Sequence, residues 1–225
     1  MRLLAPVLLA LALAAAGCGG DDEADAEAEP ATEAAATVSS AAGCRDVQAP
    51  EPKPEGTRTA PTTILDEQTY RAIVATSCGT FTITLDQQAS PTTVASFVAL
   101  AEDGFYDGTV FHRIVPGFVI QGGDPTATGT GGPGYTTVDT PAQSTAYTFG
   151  TVAMAKAPTE PPGTAGSQFF VVTAEDVSLP PDYAVVGTVT DGVEVVSRIG
   201  TLGDPNTELP TQPVVVDSIR IERSA

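Results

Sequence analysis

From Tyr70 onward, apolar and polar residues alternate in short runs cut by glycine and proline, and this period of two restricts the fold more than any other feature. Residues 70–77 and 81–86, separated by Cys78-Gly79-Thr80, read as a hairpin. Phe81, Ile83 and Leu85 share one face of its second strand, and Thr82 and Thr84 share the other. Further strands are predicted over 111–115, 118–121, 149–154, 168–173, 184–189 and 214–222. The period changes to a helical one in two places. Ser90 offers an N-cap and Pro91 a first helical residue, Val94, Phe97, Val98 and Ala101 follow at helical spacing, and Gly104 stops the run. A second helix is predicted over 192–199, with Val193, Val196 and Ile199 on one face. Many antiparallel strands with two isolated helices predict a mainly β domain, a closed barrel capped at its ends, although periodicity alone leaves a sandwich open. Residues 123–147, rich in glycine, proline and threonine, are too long for a plain connector, and loops of that length often carry function.

The first 60 residues differ in kind. Arg2 followed by the apolar stretch Leu3–Ala16 reads as an export signal, too short for the ~20 residues of a spanning helix. The small residues before Cys18 resemble a bacterial lipobox, with Ala15 where leucine is usual. That makes Cys18 the expected lipidated N-terminus, and two acyl chains give a stable anchor where one does not. Seven acidic residues lie between Asp21 and Glu33, and no basic residue follows until Arg45. Such a run cannot bury enough apolar surface to offset its ordering entropy. The expected organisation is a signal (1–17), an acidic, alanine-rich disordered tether (18–60) and one domain (61–225). The expected location is outside the cytoplasm, anchored to the cell membrane. Cys44 and Cys78 then remain as an even pair in an oxidising compartment, and a disulfide between them is expected beside the alternative of two free thiols. It would close a loop worth roughly 3–4 kcal/mol by loop entropy.

The net charge is −18, and from residue 61 on six basic residues face eighteen acidic ones, so nucleic acid is not an expected partner. The single histidine, His112, leaves one possible base for a nucleophile triad, and residues 163–168 lack the Gly-x-Ser-x-Gly turn. No spacing suits a metal, and the glycines of 129–134 neither follow a strand that opens a helix nor precede a lysine, so no cofactor is implied. Reactions needing no covalent intermediate remain, and rotation about an X-Pro bond is one. Its barrier of ~18–20 kcal/mol reflects amide resonance, and a lowering of ~5–6 kcal/mol would turn seconds into about a millisecond. An apolar slot for the ring and a fixed donor aimed at the prolyl nitrogen would supply it. In FHRIVPGFVIQGGDP (111–125), Arg113 and Gln121 framed by phenylalanines fit that description.

Together with GTGGPG (129–134), MAKA (154–157) and GSQFFVVT (166–173), that segment resembles the cyclophilin family of peptidyl-prolyl cis–trans isomerases, from about Tyr70 to Arg223. The resemblance implies a closed eight-stranded antiparallel barrel capped by two α-helices, acting as a monomer on proline-containing peptides and on exported proteins as they fold. It makes Arg113 the catalytic donor, with Gln121 holding it and Phe118 beside it. Val119, Phe170 and Leu179 complete the proline slot, Gln168 lines the adjoining groove, and Ala155 and Lys156 offer main chain to the substrate. Tyr183 stands where many relatives have histidine, Lys156 where asparagine is common, and Ser178 where many carry an aromatic residue. The alternative, favoured by Ser178, is a peptide-binding module or chaperone with little turnover. Phe169 is expected in the core, opposite Phe170, and His112 as a packed, hydrogen-bonded strand residue.

Overall fold

A computed structural model describes residues 43–224, so the signal, Cys18 and the acidic run lie outside the described residues. The predicted hairpin forms β1 (Thr69–Thr76) and β2 (Gly79–Leu85), which turn tightly at Ser77-Cys78. After α1 (Pro91–Glu102) come β3 (Thr109–Val110), β4 (Arg113–Val115) and β5 (Val119–Gly122). The remainder is β6 (Thr137–Val138), β7 (Thr151–Met154), β8 (Thr164–Ala165), β9 (Phe169–Val172), β10 (Val185–Asp191), α2 (Val193–Gly200) and β11 (Val215–Ser224). β6 and β8 pair with each other inside what reads in sequence as loop, since two-residue strands carry no period.

The other nine strands form one antiparallel sheet in the order β3-β11-β1-β2-β10-β7-β9-β5-β4. It is a mainly β, cyclophilin-like fold with two helices, but the closed eight-stranded barrel is not what forms. The sheet is curled and open. Its two edges, β3 and β4, are consecutive in the chain, and among the described residues one isolated bridge, Val110 to Asp124, links the β3 edge to the end of β5. The predicted strand 111–115 splits at this place because it changes partner. Phe111 still donates its amide to Val214 beside β11, whereas Arg113 already pairs with Gln121 of β5. His112 sits at the switch. Its ring is largely buried, as expected of a packed residue, with the Val110 main chain as a polar neighbour, although neither nitrogen forms a well-shaped hydrogen bond among the described residues.

The core fills the concave face, where α1 and α2 pack on the sheet. Phe169 is its hub, with ring centroids 5.8 Å from Phe97, 5.8 Å from Tyr106 and 6.0 Å from Phe111, all edge-on. Phe81, Ile83 and Leu85 point inward as their alternation predicts. Ser90 precedes α1, but its hydroxyl makes no cap. The Asp139 carboxylate caps the helix instead, accepting the Thr93 amide at 2.6 Å from 46 residues away. On α2 the buried residues are Val195, Val196, Ile199 and Gly200, while Val193 is exposed. The packing stripe runs from Val195 to Ile199, four residues apart, over the turn at Gly79.

The boundary at residue 60 also moves. Cys44 is bonded to Cys78, and the segment from Cys44 to Arg58 lies along the domain, where tether was expected. Composition missed this because the segment is held by main-chain bonds and three cations, not by apolar side chains. Arg45 pairs with Asp217, Lys53 Nζ donates to the carbonyls of Phe105 and Asp107, and Arg58 pairs with Asp103 while covering the Phe105 ring.

Two core substitutions should act in opposite directions in equilibrium urea unfolding. Phe169→Ala removes the hub ring and should cost about 3–5 kcal/mol. Tyr106→Phe removes a fully buried hydroxyl that has no partner among the described residues, and should leave stability unchanged or raise it by about 1 kcal/mol.

Candidate active site

β5, β7, β9 and the start of β10 carry side chains to both faces, and there both faces are covered. Ile120, Val152, Phe169, Val171 and Val186 enter the core, while Val119, Ala153, Phe170, Val172 and Val185 form a second apolar cluster on the outer face. Partly exposed residues complete it, among them Phe118, Ala155, Leu179 and Tyr183. The structure therefore gathers the four expected slot residues, Phe118, Val119, Phe170 and Leu179, into one notch, and Ala155 and Tyr183, expected in other roles, pack there with them. Phe169 and Phe170 point to opposite faces, as the alternation requires.

The polar side of the notch follows from register. Arg113 of β4 faces Gln121 of β5, and Gln121 faces Phe170 of β9, so guanidinium, amide and ring lie in one cross-strand row. The Arg113 Nη1 donates to Gln121 Oε1 at 3.4 Å, and Gln121 Nε2 donates to Gln168 Oε1 at 3.0 Å. Gln168 Nε2 in turn donates to the Gly131 carbonyl at 2.9 Å. The firmer hold on Arg113 is one the sequence did not disclose. Its Nε donates to Glu208 Oε2 at 2.7 Å, across 95 residues. Both partners are a third to a half exposed, so the pair adds little stability, but it fixes where the fork points. Glu208 is presented by a turn in which it holds φ at +59°, and its amide donates to the Asp204 carbonyl.

Two further residues escape a reading by pattern. Asp124 is fully buried and its carboxylate accepts the Thr126 amide and hydroxyl and the amides of Gly129 and Gly131, at 2.6–3.1 Å. Burial alone would raise its pKa, but these bonds prevail and hold the carboxyl below the ordinary range. Through Gly131, Asp124 shapes the loop that receives Gln168, and so stands at the far end of the row that begins at Arg113. Tyr147, also buried, uses its hydroxyl twice, accepting the Tyr183 amide and donating to the Tyr183 carbonyl. The Tyr183 ring then stands edge-on to Phe170 at 5.4 Å. The signal that could have found both was their place at the two ends of the long 123–147 segment. The His112 ring beside Asp124 is kept neutral by burial, which lowers its pKa, with Asp124 opposing and Arg113 reinforcing the effect.

Of the remaining expected residues, the Ala155 amide is spent on the Gln168 carbonyl at 2.9 Å and is closed to a peptide. Lys156 turns its ammonium to the carbonyls of Glu160 and Ala157 and over the Tyr183 ring at 5.7 Å. Ser178 sits in a turn with φ +48°, its amide on Asp176, next to Leu179. Among the described residues no group of histidines, cysteines and carboxylates could hold a metal.

Curled sheet, two helices and a held guanidinium beside an apolar notch define a class of enzyme that turns a bond without a nucleophile. A family model for the cyclophilin type peptidyl-prolyl cis-trans isomerases matches residues 71–221. The chain is similar to the probable peptidyl-prolyl cis-trans isomerase A of Mycobacterium leprae, 40% identical over 173 residues, covering 68% of this chain and 93% of that protein. It is 48% identical over 108 residues to peptidyl-prolyl cis-trans isomerase B of Bacillus subtilis, covering 48% of this chain and 73% of that one. In three dimensions it resembles a cyclophilin type isomerase of Cryptosporidium parvum, solved in the presence of the dipeptide Ala-Pro, with TM-score 0.63 and 30% identity over 68% of this chain and 99% of that one. This chain belongs to the cyclophilin type of peptidyl-prolyl cis-trans isomerases.

Asp124→Asn should cost about 1–3 kcal/mol at pH 7, because a carboxylate that accepts four bonds becomes an amide that cannot. A depressed folded pKa contributes stability that is present above the unfolded value near ~3.9 and lost as pH falls through the folded value. The wild-type advantage should therefore be constant near neutrality and shrink below about pH 4, as measured by urea unfolding at a series of pH values.

Proposed function

We propose that this isomerase accelerates rotation about X-Pro bonds in exported proteins as they fold, outside the cytoplasm and anchored to the cell membrane by lipid on Cys18. The export reading is supported by the apolar stretch after Arg2, by the lipobox-like residues before Cys18, and by a disulfide of the kind that persists in oxidising compartments. Residues 18–42 serve as an acidic spacer between anchor and domain.

One observation carries the mechanism: the Arg113 guanidinium is held by Glu208 and Gln121 at the edge of an apolar notch. The proline ring enters between Phe118, Val119, Phe170 and Leu179, with Tyr183 beyond Phe170. Nε and Nη1 are engaged, while among the described residues nothing holds Nη2, which is the donor offered to the prolyl nitrogen. That nitrogen gains a lone pair only as the amide twists and its resonance breaks, so the contact strengthens towards the transition state. Gln121 positions Arg113, and Gln168, the Ala155 carbonyl and the main chain of Lys156 receive the substrate backbone, the Ala155 amide being already engaged. The crystal structure of the Cryptosporidium parvum relative in the presence of the dipeptide Ala-Pro supports proline-containing peptides as ligands.

In an NMR exchange or protease-coupled assay on an Ala-Pro peptide, Arg113→Ala should lower kcat/KM by about 10²–10³-fold, the size of effect that follows loss of one preorganised donor. Glu208→Gln, which keeps an acceptor but removes the charge, should lower it several-fold and chiefly in kcat. Equal rates for wild type and Arg113→Ala would reject the assignment.

A further inference from the structure

Beside the notch, and sharing Gln121, Ala155 and Gln168 with it, lies a groove of about 730 Å³. Its floor and sides come from residues 129–136 and 155–158, and one residue of its rim, Glu55, comes from the N-terminal segment. That segment lies ahead of residues 71–221, which the family model matches.

The docking is close and specific. Gly56 donates its amide to the Gly132 carbonyl and Arg58 to the Pro133 carbonyl, both at 2.9 Å, and Lys53 donates to the Pro125 carbonyl at 2.8 Å. Glu55 Oε1 accepts the Gly132 amide at 2.9 Å. The two backbones approach so nearly that neither tolerates a Cβ. One added at Gly56 would lie 2.6 Å from the Pro133 main chain, and one at Gly134 would lie 2.4 Å from the Gly56 carbonyl oxygen. Bonding to both sides of Gly132 ties the segment to the wall whose Gly131 carbonyl holds Gln168.

Charge gives the groove a preference. Two carboxylates border it, Glu55 and Glu160, against one cation, Lys156. The Lys156 ammonium is already directed at the Ala157 and Glu160 carbonyls, and Glu160 Oε2 accepts the Ala157 amide at 2.6 Å. Glu55 spends one oxygen on Gly132 and keeps the other at the rim.

We infer that residues 53–58 form the outer wall of an extended groove for the polypeptide flanking the proline, and that Glu55 makes this groove select lysine or arginine there. The inference rests on the isomerase reading for what occupies the adjoining notch. The groove does not touch the twisting bond, so its contacts act equally on ground and transition states and appear in KM and Kd, not in kcat.

The test uses the full chain with its disulfide intact and three probes: acetyl-Ala-Pro-amide, and two octapeptides with central Ala-Pro flanked by lysines or by glutamates. Exchange NMR reads kcat and KM, and anisotropy titration of labelled octapeptides reads Kd whether or not turnover occurs. Wild type should bind the lysine octapeptide about three- to tenfold more tightly than the glutamate one at low salt, with the ratio falling as salt rises. Glu55→Gln keeps an oxygen for Gly132 and should bring that ratio close to one without weakening the dock. Gly56→Val should raise KM for both octapeptides several-fold, and by much more than it changes kcat or the KM of acetyl-Ala-Pro-amide, which does not reach residues 53–58. Equal wild-type affinity for the two octapeptides, or an octapeptide KM that Gly56→Val leaves unmoved, overturns the inference. Selective binding without any acceleration would uphold it and would sink the isomerase reading instead.

Discussion

The structure depends on three neighbouring strands, β7, β9 and β5, being covered on both faces. In β9 the sequence Phe-Phe-Val-Val leaves no residue exposed, with Phe169 and Val171 in the core and Phe170 and Val172 in the outer notch. A half-buried strand would have placed a polar residue at every second position. Here the second face is apolar too and forms the dry notch to which the proposed mechanism assigns the proline ring, and the same backbone is clamped from behind by the core. The Phe169 hub that stabilises the fold is thus one residue from the ring that would meet the substrate. Strain or a cavity on one face cannot arise without shifting the other, since close-packed interiors transmit displacement.

Upon this wall the proposed mechanism needs very little. A planar, permanently charged fork must be held at the rim in one orientation, and three unrelated parts of the chain share that task. Gln121 comes from the neighbouring strand, Glu208 from a turn after α2, and Gln168 from β9's approach. The buried Asp124 completes the row from below by organising four donors of its own loop. The hydrogen bonds are individually modest. Their value lies in orientation, because a donor displaced by about 1 Å loses much of its differential effect.

The long glycine-rich segment and the N-terminal segment have become parts of one device. The former supplies the Asp139 cap of α1, the Asp124 loop and the wall at 131–134, and the latter lies against that wall, fastened at its start by Cys44–Cys78 and near its end by Arg58. Neither has a hydrophobic period, and both are ordered by main-chain bonds and ionic contacts. This is why composition assigns residues 43–60 to a solvated tether when they are structural.

What the sequence determined by itself is whatever depends on local period and short motifs. The hairpin of β1 and β2, both helices to within a residue or two and the opposite faces of Phe169 and Phe170 follow from residues near one another in the chain, while the slot residues came from the family resemblance and the even cysteine count left a disulfide and two free thiols both open. Only the tertiary structure decided the rest, because it turns on contacts between distant residues. The sheet stays open since residues 109–115 change partner at His112, the cap of α1 comes from Asp139 and not from Ser90, and α2 buries Val195 in place of Val193. Glu208 beside Arg113 and Glu55 beside the groove are likewise single exposed carboxylates in sequence, indistinguishable from the other acidic residues of a chain carrying −18. A lone charge has no period and no motif, and its role exists only once the fold has set its partner beside it.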